Sequence, residues 1–212
     1  MLDNSTTLRA QNVVVVADSS CPQILELLRE AEAPVLWLDG QEPPLKAVSR
    51  ALAERRTLGK PIDTLHWVSH GQPGQLQLGA SRINSGTLLA NAHNLASWGI
   101  SSLALWSCNA GADHAFIALW EELTGASLWS SSDVLGRLDD NGISNWSLSS
   151  RITAAAPPTL PIATPQLLSW HFQLAFSAPD LDAASDDGSS DSDNDTSFRR
   201  QHSQAQEHQQ AS

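Results

Sequence analysis

The chain has 212 residues, 41% of them hydrophobic, enough for one domain with a substantial core and a tail. Its formal net charge of −11 excludes nucleic acid and anionic membrane as electrostatic partners, since both repel an acidic surface. Much of that charge is local, because seven Asp and no basic residue fall between Asp180 and Asp195.

Residues 1–11 form a polar N-terminal extension without the basic-then-apolar pattern of a secretory signal. No apolar run anywhere reaches the ~20 residues that a bilayer span needs, so a soluble chain without membrane insertion is expected. The β-branched run at residues 13–16 predicts a strand buried on both faces, with Asp18, Ser19 and Ser20 placed to cap a helix that opens at Pro22 and runs to Glu30. Residues 34–38 predict a second strand, and Leu45, Val48, Leu52 and Ala53 the apolar face of a second helix ending near Gly59. A third strand is expected at residues 62–69, a small hairpin arm around 75–78, a helix over 88–98, and a fourth strand at 102–107. Residues 115–123 read as a helix, 126–131 as a fifth strand and 142–148 as a final edge strand. Strand–helix alternation with short connections predicts an α/β domain over residues 12–150, its mainly parallel sheet covered by helices on both faces. Residues 151–176, rich in Ala, Pro and Thr, read as a linker with an apolar patch around Trp170 and Phe172 that packs back on the domain. From residue 177 on, the Asp/Ser/Gln-rich tail has almost nothing to bury and is expected to be disordered.

Open parallel sheets collect chemistry at the carboxyl ends of their strands. The third strand runs into His70-Gly71 and the fourth into Cys108-Asn109-Ala110-Gly111. If those strands are neighbours, His70 and Cys108 face each other a few ångströms apart. An imidazole there accepts the thiol proton, the thiolate attacks a carbonyl carbon, and the imidazolium protonates the leaving amine. Gly71 lets a substrate approach the backbone, and its N–H, with that of Cys108, is the expected oxyanion hole. Against this stands the plainer reading of Cys108 as an ordinary buried core thiol and of Ser69-His70-Gly71 as an ordinary strand-to-turn sequence. Asp133, beyond the fifth strand, is a candidate substrate contact or a cap for Val134-Leu135-Gly136, and the cap is favoured; Asn109 is the other candidate substrate contact. Cys21 opens the first helix and reads as structural. His66 and His70, ~13 Å apart along a strand, cannot share an ion. His66 therefore reads as a packed residue, and a zinc set of His70, Cys108 and His114 lacks recognisable spacing. No metal and no cofactor are expected.

Residues 62–79, with the run Leu-His-Trp-Val-Ser-His-Gly, and residues 103–111, Leu-Ala-Leu-Trp-Ser-Cys-Asn-Ala-Gly, resemble the histidine and cysteine motifs of domain of unknown function number 4347. Phe116, the Leu-Thr-Gly-Ala at 123–126 and the Asn-Trp-Ser-Leu at 145–148 fit the same family, so the resemblance spans roughly residues 12–148. It implies a caspase-like three-layer α/β sandwich, of the cysteine peptidase clan that holds caspases, gingipains and separase. It also implies a His70–Cys108 dyad with Gly71 at the oxyanion hole, a polypeptide substrate, and hydrolysis without metal. Relatives occur in long bacterial surface or secreted proteins carrying repeats; this sequence ends instead in an acidic tail and is expected to be a stand-alone version or a fragment. With no secretory signal visible, the resemblance implies a secreted or cell-surface protein exported by a non-classical route, the alternative being a cytoplasmic one. Two expectations compete: a cysteine endopeptidase, acting on itself or on an exported partner, with Cys108 accessible and alkylated faster than Cys21; or a non-catalytic caspase-like binding or assembly module.

Overall fold

Apolar runs too short for helices supply the central sheet, and their register sets the carboxyl edge on which the site is built. In the computed structural model, which describes residues 12–139 and 141–175, the chain begins with β1 (Val13–Asp18), α1 (Pro22–Leu27), β2 (Val35–Leu38), α2 (Pro44–Thr57) and β3 (Thr64–Val68). An antiparallel arm follows, β4 (His70–Gln72), β5 (Gln75–Leu78) and β6 (Ser81–Asn84), then α3 (Ser85–Ala90), α4 (Ala92–Ala96) and β7 (Ser102–Trp106). A 3-10 turn (Ala110–Ala112) leads into α5 (His114–Thr124) and β8 (Ser127–Trp129), and the chain continues through the short pair β9 (Gly136–Arg137) and β10 (Ser144–Asn145) to α6 (Thr164–Ser169). The N-terminal extension and the tail expected from residue 177 on lie outside the described residues.

The sheet is parallel throughout, in the order β2-β1-β3-β7-β8. The α/β architecture with a parallel central sheet is therefore as expected, and β3 and β7 are indeed neighbours, pairing Val68 with Trp106 at their last positions. Alternation along the strands sorts side chains into two layers. Val16, Leu65, Trp67, Leu103 and Leu105 join the apolar faces of α2 to α5 on one side. Val15, Ala17, Val68, Ala104 and Trp106 join Ile24 and Leu27 of α1 on the other.

That second layer is completed by the stretch read as a linker. Leu160, Ile162, Trp170 and Leu174 are all buried in it. The Pro161 carbonyl accepts from the Glu32 N–H (2.8 Å), and Gln166 Nε2 donates to the Leu27 carbonyl (3.1 Å). Trp106, Trp146, Trp170 and Phe172 form an aromatic ladder with centroids 6.4, 5.5 and 5.8 Å apart, and Trp170 Nε1 donates to the Gln23 carbonyl. The final edge strand is only Ser144–Asn145, paired with β9, whose Gly136 also bridges residue 173.

The caps of α1 differ from expectation. Cys21, not Asp18, Ser19 or Ser20, is the N-cap, and it makes no side-chain cap bond. Asp18 is the last residue of β1 and is committed elsewhere: its carboxylate accepts from Ser20 N–H and Oγ and from the Gly79 N–H, tying the β1 loop to the arm.

Candidate functional site

Because β3 lies between β1 and β7, the loop after β3 is flanked by the loops after both neighbours. His70 is thus the middle member of a row, with Cys21 from the β1 side and Cys108 from the β7 side. The approach of the β3 and β7 ends is close enough to demand glycine at 71. A Cβ there would lie 2.7 Å from Ser107 Cβ and 2.9 Å from the Cys108 carbonyl oxygen. Just beneath, the buried hydroxyls of Ser69 and Ser107 share a 2.9 Å hydrogen bond that pins the two strand ends together.

The sequence places His70 against Cys108; the thiol that its ring meets in the structure is that of Cys21. His70 Nε2 is 3.2 Å from Cys21 Sγ, whose other neighbour is Gln23 Oε1 at 3.1 Å. Cys21, read as structural with no histidine near it, therefore has one beside it. The contact was hidden because Cys21 is 49 positions from His70 in sequence and meets it only through the β1–β3 adjacency. The sheet order carried the signal, since β1 borders β3 as closely as β7 does. His70 Nδ1 is buried and has no hydrogen-bond partner among the described residues. Burial holds the His70 imidazole below its ordinary value, offset in part by the backbone of Ala175, by Asp18 and by the backbone of Leu174.

Cys108 is fully buried, and Cys21 is 8% exposed. The expectation that Cys108 is the accessible thiol does not hold in this conformation, because the C-terminal segment lies over it. Leu135 holds the thiol, its N–H donating to Sγ (3.1 Å) and its carbonyl accepting at 3.4 Å. Burial pushes the Cys108 thiol up, against the lowering effect of the Leu135 and Leu174 backbone. Both shifts favour the neutral forms, and among the described residues no hydrogen bond joins the Cys108 thiol to the His70 ring.

The segment over the site is bound as an added strand. Arg137 N–H donates to the Phe172 carbonyl (2.8 Å), Leu174 N–H donates to the Leu135 carbonyl (3.0 Å), and residue 173 bridges antiparallel to Gly136. Gly136 permits this approach, with φ of 103° and the Phe172 oxygen 2.3 Å from where a Cβ would stand. On its far side the segment bridges Gly71 in parallel through Ala175. The Leu174 carbonyl oxygen then receives two N–H groups, from Gly71 (3.1 Å) and Cys108 (3.3 Å). These are the two donors expected of an oxyanion hole, and they converge on one peptide oxygen.

The remaining sequence candidates lie around this edge. Asn109 has a left-handed backbone (φ 56°) and donates its N–H to the Asp133 carbonyl (3.0 Å). Asp133 is exposed, and no helix follows it for it to cap; the turn is made by Ser131, whose Oγ donates to the Asp133 carbonyl and accepts from its N–H. His114 is exposed at the start of α5, and no group of three His, Cys, Asp or Glu among the described residues could hold a metal ion. His66 is packed: it stacks on Trp106 and its Nδ1 accepts from Trp106 Nε1 (3.0 Å).

Burial brings His66 down to about 4. The unfolded chain binds a proton at this ring below pH ~6.5 while the folded chain does not, so stability is full above pH ~6.5 and is lost as pH falls toward 4. Between pH 7 and pH 4.5 the parent should lose about 2–3 kcal/mol more than a His66→Gln variant, measured by urea unfolding of both.

Fold and site together define an α/β protein with a five-stranded parallel sheet and a Cys-His-Cys row at its carboxyl edge. The chain belongs to the family described as Domain of unknown function (DUF4347), whose model matches residues 14–174. That match takes in the C-terminal segment along with the sheet. No curated protein matches the chain.

Proposed function

We propose that the chain is a caspase-like cysteine endopeptidase in which Cys108 is the nucleophile and His70 the acid–base group, cutting peptide bonds without metal. The observation that carries this reading is the convergence of the Gly71 and Cys108 N–H groups on a single peptide carbonyl. A carbonyl so held is polarised, and the same two donors stabilise the oxyanion that forms when sulfur adds to its carbon. One of the donors is the N–H of Cys108 itself, which ties the hole to that thiol. His70 starts neutral, takes the thiol proton as the C–S bond forms, and returns it to the departing amine. Cys21 holds the far ring nitrogen and thereby the ring's orientation. A second reading makes Cys21 the nucleophile, on its 3.2 Å contact with His70; it leaves the Gly71–Cys108 donor pair without a role.

The test exposes the folded chain and its His70→Ala variant to a varied peptide library in reducing buffer with a chelator present, reading cleavage by mass spectrometry. Cleavage by the parent alone, with an acid limb below pH ~6.5, is the expected result. Silence from a folded parent, with tight capture of particular peptides, would instead make the domain a binding module.

A further inference from the structure

We propose that this site's first substrate is its own chain, cut between Leu174 and Ala175, and that the enzyme prefers an aliphatic residue on the amino side of the bond it breaks. The inference rests on the peptidase reading above and names the substrate of that same site.

Residues 172–175 lie where a substrate must lie and make the bonds a substrate would make. The strand pairing is antiparallel to Gly136 on one side and continues past Gly71 on the other. The Phe172 carbonyl and Leu174 N–H are both satisfied by the Arg137 and Leu135 backbone, which fixes the register to the residue. In that register the carbonyl lodged between Gly71 and Cys108 is that of Leu174, so the adjoining amide is the one to Ala175. His70 stands beside it, with the Leu174 and Ala175 backbone close to the ring and Nδ1 buried and unpartnered among the described residues. A buried ring nitrogen without a hydrogen-bond partner calls for an explanation, and giving a proton to the Ala175 nitrogen is the one this site offers.

The Leu174 side chain supplies the specificity argument. It is fully buried in the apolar cluster that also holds Val68, Trp106, Cys108 and Leu135. A carboxylate or ammonium there would lose its hydration without a partner. Asp133, the acidic candidate for a basic substrate, is exposed and outside that cluster.

The reaction balances with water alone. The Cys108 proton passes to His70 as sulfur bonds to the Leu174 carbonyl carbon, and the electron pair moves onto the oxygen in the hole. The C–N bond to Ala175 then breaks, and the amine leaves with the imidazolium proton. Water hydrolyses the Leu174 thioester, regenerating the thiol and leaving a carboxylate at residue 174.

The experiment follows the intact mass of the purified full chain in reducing buffer at several protein concentrations, beside Cys108→Ala, Leu174→Asp and Ala175→Pro. An added leucine-containing reporter peptide is included throughout. Ala175→Pro preserves Leu174, its extended backbone and its carbonyl while making the target amide tertiary, so it remains informative if Leu174→Asp fails to fold. The expected result is loss of residues 175–212 from the parent, either before purification or at a rate independent of concentration, with all three variants left whole. A parent that stays whole while it cuts the reporter overturns self-cleavage and leaves the peptidase reading standing. A parent that cuts neither overturns both, and a cut at another bond, or one surviving in Cys108→Ala, overturns the assignment.

Discussion

Cys108→Ala should lower kcat/KM for peptide cleavage at least about 10³-fold, close to 4 kcal/mol of transition-state stabilisation. Cys108 is the thiol whose own N–H, with that of Gly71, holds the carbonyl to be attacked. Cys21→Ala should cost only about tenfold, because it removes an orienting contact and leaves the reacting atoms in place. Cys21→Ser, which keeps a hydrogen-bonding atom beside His70 Nε2, should recover most of that loss. If the two cysteines exchange these effects, the nucleophile has been assigned to the wrong side of the histidine. Steady-state kinetics on one reporter peptide separates the cases, and the pH profile adds a second check. Loss of the Cys21 contact should change the height and position of the acid limb, whereas loss of Cys108 removes the profile altogether.

Gly71→Ala is expected to damage both fold and site. The added methyl meets Ser107 Cβ at 2.7 Å and the Cys108 carbonyl oxygen at 2.9 Å, neither of which is the end of a flexible side chain. The β3 and β7 ends must therefore separate, at a cost of about 2–4 kcal/mol in stability. Separation also spreads the Gly71 and Cys108 N–H groups that now share one oxygen, and a lost oxyanion donor is worth about 3–4 kcal/mol in kcat. Urea unfolding should report the first effect and turnover the second. Near-parental stability together with near-parental turnover would contradict the close approach on which the site depends.

How far the sequence reveals this arrangement follows from what each part is made of. The runs at residues 13–16 and 103–106 are apolar on both faces, and 65–68 departs from that only at His66, which marks all three as central parallel strands whose carboxyl ends matter. His70, Gly71 and Cys108 were legible because they come just after such runs, beyond a single serine at 69 or 107. Cys21 was not, since its relevance comes from β1 bordering β3, and strand order is a property of the whole sheet. The stretch from 151 to 175 hid for a different reason. Its buried residues, Leu160, Ile162, Trp170 and Leu174, follow neither a helical nor a strand period, and the segment is held largely by backbone hydrogen bonds, which composition does not record. Trp170 and Phe172 were the visible trace, two aromatic rings in a region otherwise resembling a linker. The same segment explains why the expected accessibility of Cys108 is reversed: the cover comes from the chain itself.

The central claim is that Cys108, assisted by His70, attacks a carbonyl held at Gly71. Its most direct test is covalent trapping. A peptidyl acyloxymethyl ketone with leucine next to the warhead would be incubated with the parent and with a Trp170→Ala chain, in which loss of one ring from the aromatic ladder loosens the covering segment. Peptide mapping then locates the adduct. The account predicts a thioether on Cys108, formed faster in Trp170→Ala than in the parent and abolished by His70→Ala. Labelling of Cys21 in preference to Cys108, or labelling of Cys108 that ignores the loss of His70, would contradict it.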